Sequence, residues 1–330
     1  MNRPLLTIAI PTWNRANILD EALSILFPQI TGKFQQEIEI VVSDNASDDH
    51  TDIVIKNKIK TFPQLNIVHY TQKQNTGYFG NFQKSRALSN GCYFWLLSDN
   101  DHIALNLVSE IVGILKSKNP SFVFLRDWKD SKKKATFSKL KQENYTVEEA
   151  ITAFNYRTTL ISSVIFLNNK TEDDLLFEHF EGNTFIGFMY FLQSLDFKKL
   201  VVEVLGTSLF IRDTKVSFNA FKSFSQDLVA CIEFAKNKEI LPKSLGNGFM
   251  DKVISELVVR QYILFRITGR LHGMNPGSVS EVNTMLIKGL KQYKAFQQEL
   301  NPLIKAKGFI FYRRVLFKHF FKILKQRLGR

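Results

Sequence analysis

The sequence predicts an α/β fold followed by an all-helical region, and three observations predict it. Short apolar runs alternate with helix-length amphipathic stretches from Leu5 to Leu97, the pattern of a mostly parallel sheet with helices on both faces. The first, second and fourth of these runs each stop at a polar loop rich in Pro, Asn or Asp. From about Ser223 onward the strand-like runs give way to long helical spacings. The division falls near residue 215, giving an α/β domain over residues 1–215 and a helical region over 216–330. The length of 330 residues and a hydrophobic content of 45% support a sizeable core and exclude a disordered chain.

Leu5 to Ile10 reads as a strand that Pro11 stops. Ile18 to Ile25 carries helical apolar spacing. Glu37 to Val42 is a second strand, running into Ser43-Asp44-Asn45-Ala46-Ser47-Asp48-Asp49, where Asp48 or Asp49 can cap a helix reaching about Lys58. Asn66 to Tyr70 is a third strand, and the Asn75-Thr76-Gly77 turn precedes a helix from Tyr78 to Leu88. Cys92 to Leu97 is a fourth strand, ended by Ser98-Asp99-Asn100-Asp101. The second half is less regular. Phe122 to Leu125 and Leu200 to Leu205 read as short strands, Thr159 to Leu167 as strand-like, and Phe185 to Leu195 as a helix. Asp130 to Gln142 is lysine-rich and polar, a loop or an exposed helix start. Helical patterns follow at Leu228–Lys236, Phe249–Thr268 and Val282–Leu300, and in the tail.

Composition narrows the setting. Two cysteines, Cys92 and Cys231, make no disulfide framework, and Cys92 at the start of an apolar strand reads as a free core thiol in a reducing compartment. The first apolar run is too short for a signal peptide, and no segment approaches the roughly 20 apolar residues of a membrane span. The net charge is +13, but the segment from Leu303 to Arg330 holds nine Lys/Arg and no acid, leaving +4 for the rest. In that tail Phe309, Tyr312, Leu316, Phe320, Leu324 and Leu328 recur at helical spacing, with Arg313, Arg314, Lys318, Lys322 and Lys325 between them. Such a helix can lie on an anionic membrane surface; the alternative is a stripe packed on the protein itself. Its phenylalanines favour lipid over bases, and the chain carries no recognised nucleic-acid motif, so nucleic acid is not an expected partner.

In open α/β sheets, ligands sit beyond the carboxyl ends of the strands. Pro11–Arg15, Asp44–Asp49 and Asp99–Asp101 all lie at such ends and would converge on one crevice. Asp99 and Asp101, one residue apart after a buried strand, offer carboxylate oxygens of the kind Mg²⁺ takes alongside water and phosphate. Singly, each has a plainer reading: Asp44 as an Asx turn, Asp99 and Asp101 as caps for a helix at Leu105.

Taken in order, these motifs resemble the family 2 glycosyltransferases, which have the GT-A fold (Rossmann-like, with a mostly parallel sheet). The matching segments are Ile10-Pro11-Thr12-Trp13-Asn14-Arg15, Leu23-Ser24-Ile25 with Gln29, Val41 to Asp49, and Asn75-Thr76-Gly77 with Asn81 and Ala87 to Gly91. The last is Asp99-Asn100-Asp101, where the family keeps its Asp-x-Asp. The Ser-Asp-Asn-Ala-Ser form and Ile161-Ser162-Ser163 look most like O-antigen transferases of the abequosyltransferase type. The resemblance implies inverting transfer of a sugar from a nucleoside diphosphate donor to a hydroxyl of a lipid-linked saccharide. It implies a metal-dependent enzyme of bacterial surface polysaccharide synthesis, cytoplasmic and peripheral on the inner face of the membrane. Pro11, Thr12, Asn14, Arg15, Asp44, Asn75, Gly77, Asn81 and Asp99 would hold the nucleotide sugar. Asp101, with Asp99, would hold Mg²⁺ or Mn²⁺, and Arg15 could approach phosphate. The family commonly opens a later helix with an acidic pair that supplies the general base; here that helix opens at Gly182-Asn183-Thr184-Phe185 without one. Glu181 is the nearest substitute, with Glu178, Asp173 and Asp174 as further candidates. Glu178 and Glu181 have a plainer role as acids favouring a helix N-terminus. His102 and His179 read as polar neighbours, and Arg212 as a diphosphate contact or a surface ion pair. The rival readings are a non-catalytic nucleotide-sugar-binding homologue and a basic nucleic-acid-binding protein.

Overall fold

The computed structural model describes residues 3–128, 141–170, 176, 178–210, 219–271, 276–306, 308, 310 and 313. Asp173, Asp174, Arg212 and nearly all of the basic tail helix lie outside the described residues. The chain divides into two compact units, residues 1–214 and 215–330.

The first unit is built on a nine-stranded sheet. Its strands are β1 (Leu6–Thr12), β2 (Ile38–Asp44), β3 (Asn66–Thr71), β4 (Tyr93–Leu96), β5 (His102–Ile103), β6 (Phe122–Trp128), β7 (Lys141–Tyr145), β8 (Val164–Leu167) and β9 (Val201–Phe210). The order is β3-β2-β1-β4-β8-β6-β9-β5, with β7 also paired to β9. β1, β2, β3 and β4 run parallel, as do β6 and β9, while β8, β7 and β5 pair antiparallel with their neighbours. The sheet is therefore mixed but mostly parallel.

Helices α1 (Ala16–Leu26), α2 (Thr51–Thr61), α3 (Gly77–Leu88), α4 (Leu107–Lys118), α5 (Val147–Phe154) and α6 (Ile186–Gln193) make its crossovers and flanks. β1 is buried along its whole length, as a central strand covered on both faces must be, and β3 at the edge is part-exposed throughout. Leu19, Leu23 and Leu26 of α1 and Ile111, Ile114 and Leu115 of α4 belong to one core with Ile8, Ile40, Val42 and Trp95. Glu39, the acid near the start of β2, is 4% exposed and fully occupied. It accepts from the Thr7 hydroxyl at 2.7 Å and from the Asn90 backbone and side-chain amides at 2.7 and 2.9 Å.

Several expectations change at this level. Thr159–Leu167 is not one strand. Residues Asn155–Thr159 and Ile161–Ser163 form 3₁₀ turns before β8 begins at Val164. The Ser163 amide bonds back to Leu160 and the Ser162 hydroxyl is taken by Ser98 and Asp101, so one local bond and two long-range bonds replace the ladder. The stretch ending at Gln142 runs into a strand, because Lys141–Tyr145 adds a charged edge along β9. The N-cap of α2 is His50; Asp49 caps from one residue further out, accepting from the Thr51 amide at 2.9 Å. Cys92 is only half-buried, while Cys231 is buried, and neither is in a disulfide.

The second unit, described by itself, is helical. Its helices include α7 (Leu228–Asn237), α8 (Lys243–Val253), α9 (Val259–Thr268) and α10 (Val279–Leu290). The expected helix over 249–268 is interrupted by a π-segment at Ile254–Val258. The one over 282–300 stops at Leu290 and resumes as a π-segment at Phe296–Leu300. Gly289 is required by close approach: a Cβ there would lie 1.8 Å from the Ser225 carbonyl oxygen. Among the described residues no helix is long and apolar enough to cross a membrane.

Candidate active site

From β1 the sheet grows one way through β2 and β3, then the chain returns to place β4 on the other side of β1. In such sheets the usual ligand position is a crevice at the carboxyl ends of the strands flanking that reversal, here β1 and β4. Pro11 and Thr12 end β1 opposite Ser43 and Asp44 of β2. The Leu97 amide still bonds to Ala9, after which Ser98–Asp101 leaves the sheet.

Asp99 sits at that point and is 3% exposed. The Thr12 hydroxyl donates to its Oδ2 at 2.9 Å, and Arg15 Nη1 donates to its Oδ1 at 2.7 Å. Burial pushes the Asp99 carboxyl up from its ordinary value, against the opposing pull of the Arg15 guanidinium and the Thr12 hydroxyl. Arg15 keeps 41% of its side chain exposed, so part of its donor fork still faces solvent.

Asp101 is 7% exposed. Ser162 Oγ donates to its Oδ2 at 2.6 Å and accepts the Ser98 amide at 2.9 Å. The Ser162 carbonyl in turn accepts the Trp95 indole N–H at 2.9 Å. His102, in β5, has its Nε2 3.9 Å from Glu21 Oε2.

Asp44 is fully buried. Its Oδ1 accepts the Ser47 amide at 3.1 Å and also the Ser47 hydroxyl. Its Oδ2 has no hydrogen-bond partner among the described residues. A buried, unsatisfied carboxylate oxygen is rare and costly. The loops around it are stitched together. Asn14, in the left-handed region with φ 51°, donates its amide to Ser47 Oγ at 2.8 Å and accepts the Asp48 amide on its side chain at 2.9 Å. Asp49 bridges two helix starts, taking the Ala16 amide at 3.0 Å and the Thr51 amide at 2.9 Å.

Asn75, Gly77 and Asn81 lie on one further network, whose hub is Asn45. Asn45 Oδ1 accepts from Gln72 Nε2, the Thr76 amide and the Thr76 hydroxyl, each at 3.0 Å. Asn45 Nδ2 donates to Asn75 Oδ1 at 2.9 Å and Gly77 O at 3.1 Å. Asn81 uses all four of its side-chain positions on protein partners. Its oxygen takes Ser43 Oγ and Gln72 Nε2, and its nitrogen donates to the Thr12 and Ser43 carbonyls. Gly77 has φ 71°, a left-handed turn that glycine adopts without strain.

Glu181 is exposed on the turn before α6 and shares the approach to that helix with exposed Glu178. The neighbouring residue ties this turn to the start of α3, because Tyr78 Oη donates to the Gly182 carbonyl at 2.8 Å. His179 packs its ring edge-on to Phe180 at 4.8 Å.

Sequence reading passed over three residues that matter here. Trp13 stands 48% exposed in the first loop, an aromatic face beside Thr12; an aromatic inside an otherwise polar loop was a readable signal. Asn45 and Ser162 were visible as motif letters, but their partners lie 27 to 64 residues away and could not be read. A cavity of about 1190 Å³ lies at the other end of the sheet, lined by Arg3, Gln64, Asn90 and Lys170 among others. Its two cations, Arg3 and Lys170, donate to backbone carbonyls of residues 87, 89, 90, 91 and 168.

No group of three or more His, Cys, Asp and Glu converges as a metal site among the described residues. Two buried carboxylates at a strand end are still a fitting donor set for a hard cation, which usually takes one or two carboxylates plus substrate phosphates.

A mostly parallel, switch-point sheet with an acidic crevice at its carboxyl edge defines a GT-A architecture. A family model described as glycosyl transferase family 2 matches residues 7–195, more than half of the chain, and the protein belongs to that family. Among curated relatives it is 34% identical over 130 residues to the abequosyltransferase RfbV of Salmonella typhimurium, covering 38% of this chain and 37% of that protein. It is 35% identical over 75 residues to the validoxylamine A glucosyltransferase of Streptomyces hygroscopicus subsp. jinggangensis, covering 23% and 16%. The chain thus spans well under half the length of the curated relatives it matches. In fold it is similar to S. aureus TarS 1–349 in complex with UDP, with a TM-score of 0.62 at 14% identity over 98% of this chain and 92% of that one. It is also similar to the mannosyltransferase PcManGT from Pyrobaculum calidifontis in complex with GDP-Man and Mn²⁺, with a TM-score of 0.53 at 14% identity over 97% and 89%.

Proposed function

We propose that this glycosyltransferase moves a sugar, with inversion, from a nucleoside diphosphate donor to a saccharide hydroxyl in the assembly of a bacterial surface polysaccharide. The carrying observation is Asp44 Oδ2, a fully buried acceptor without a protein partner at the crevice edge. A base or ribose donor from the nucleotide satisfies it. Exposed Trp13 offers a stacking face beside it. The remaining Arg15 donors reach toward the diphosphate, while Thr12 and Arg15 fix Asp99. Asn14, Asn75, Gly77 and Asn81 then serve the site by holding its loops, since their polar groups are engaged with Ser47, Asp48, Asn45, Ser43, Gln72 and Thr12. RfbV, an abequosyltransferase, supports the polysaccharide setting. The UDP-GlcNAc complex of TarS and the GDP-Man complex of PcManGT support the donor class.

Asp101, with Asp99, would hold Mg²⁺ or Mn²⁺. Bound there, the ion supplies charge stabilisation for the departing diphosphate. Glu181 accepts the proton of the attacking hydroxyl as general base. The acceptor is lipid-linked, and the basic C-terminal helix brings the enzyme to the anionic cytoplasmic face of the membrane.

The test is a thermal-shift screen of the full chain against nucleotide sugars with and without Mn²⁺, followed by transfer assays on the sugar that binds. A donor-dependent rise in melting temperature and sugar transfer are the expected results. Binding without turnover would instead identify a non-catalytic homologue, and full transfer by Glu181→Gln would remove Glu181 as the base.

A further inference from the structure

We infer that Ser162 is a positioning residue for the cation site, acting through Asp101; this rests on the metal reading above. The argument is one of hydrogen-bond polarity. A serine hydroxyl has one hydrogen to give and can also accept. The Ser98 amide can only donate, so at 2.9 Å it makes the Ser162 oxygen its acceptor. The single Ser162 hydrogen is then directed to Asp101 Oδ2 at 2.6 Å. That carboxylate oxygen is held as an acceptor, in a short charge-assisted bond. The orientation is enforced from the other side as well. Ser162 is 1% exposed, and its carbonyl is anchored by the indole of fully buried Trp95 at 2.9 Å.

The same strand, β4, therefore supports both ends of the interaction: Trp95 fixes the backbone of Ser162, and two residues after β4 Ser98 sets the direction of its hydroxyl. Asp101 follows three residues later on a turn closed by its own amide to the Ser98 carbonyl at 3.2 Å. This closed circuit holds a carboxylate that would otherwise swing on a loop. Hydrogen-bonded partners of ligating carboxylates typically contribute 10- to 100-fold to metal affinity. The adjacent Ser163 provides an internal control. Its hydroxyl is equally buried and has no hydrogen-bond partner.

The experiment measures Mn²⁺ binding by the electron paramagnetic resonance of free Mn²⁺, with UDP or GDP present, for wild type, Ser162→Ala and Ser163→Ala. Nucleotide affinity in EDTA is measured in parallel by calorimetry. Ser162→Ala is expected to weaken Mn²⁺ binding about tenfold or more while nucleotide affinity in EDTA stays within about twofold. Ser163→Ala is expected to leave both within about twofold. Equal Mn²⁺ affinity in wild type and Ser162→Ala would overturn the positioning role alone. Parallel loss of Mn²⁺ and EDTA-state nucleotide binding would overturn it in favour of a general structural role. Absence of any Mn²⁺ binding by wild type with either nucleotide would overturn the metal reading, and this inference with it.

Discussion

Replacing Asp44 by Asn separates binding from stability at the residue that carries the functional reading. The change is nearly isosteric. With the amide oxygen kept toward Ser47, the two bonds to Oδ1 survive. At Oδ2, which has no protein partner, an acceptor becomes a donor. A hydrogen bond to a charged group contributes about 1.5–3 kcal/mol. A nucleotide donor that uses Oδ2 should thus bind about 10- to 150-fold more weakly. The unliganded protein should barely notice. Removing a buried charge relieves desolvation, and weakening the Ser47 bonds offsets that relief, so stability should change by less than about 1 kcal/mol. Asp44→Ala is different, because it strands the Ser47 amide and should cost about 1–3 kcal/mol of stability as well. Calorimetric titration with UDP and GDP, beside urea unfolding of the apo proteins, reads both quantities. Nucleotide affinity in Asp44→Asn within twofold of wild type would refute the reasoning, as would a stability loss equal to that of Asp44→Ala.

Two other outcomes follow from the same loops. Trp13→Ala should change stability by less than about 0.5 kcal/mol, because the ring is largely exposed; it should also abolish nucleotide-induced quenching of tryptophan fluorescence, and persistence of the full quench would show that the ring does not meet the base. Asp49 is held below its ordinary carboxyl value: burial pushes it up, but the Thr51 hydroxyl, the Ala16 and Thr51 amides and His50 more than offset that. A lowered folded-state value stabilises the fold above the unfolded carboxyl range, and the gain is lost as pH falls through the folded value. Asp49→Ala should therefore lower stability by about 0.5–1 kcal/mol near neutral pH, at the lower end of capping effects because the residue is exposed. The gap between variant and wild type should close below about pH 4 in thermal unfolding, and a gap that stays constant with pH would count against the carboxylate as its source.

The strand ends were legible because they are chemically abrupt. Pro11, Asp44 and Asp99 each follow an apolar run that must be buried, and the parallel register brings Thr12 level with Asp44. Helix α5 was also legible and was passed over. Thr146 and Glu149 spell a capping box, and both of its bonds form, with the Glu149 carboxylate taking the Thr146 amide at 2.9 Å. The turn before β8 was not legible, because three of the five residues of Ile161-Ser162-Ser163-Val164-Ile165 are β-branched and favour a strand. What decides against a strand is the bonding of Ser162 to Ser98 and Asp101, residues 61 to 64 positions earlier.

That failure and the location of the site have one cause. A loop residue whose polar groups find partners far along the chain looks, in sequence, the same as one that waits for a ligand. Asn81 and Asp44 are both buried polar residues beside the same crevice, and a motif marks them alike. Only the hydrogen-bond account divides them: Asn81 has four partners inside the protein, and Asp44 keeps one oxygen without any. Glu37 Oε2, just before β2 at the far end of the sheet, also has no hydrogen-bond partner among the described residues, so it is the position of Asp44 Oδ2 beside the acidic loops, together with its lack of a partner, that points to a ligand. The loops of this crevice spend almost all their polar capacity on each other, which makes the frame rigid and makes the unspent Asp44 Oδ2 informative about what binds there.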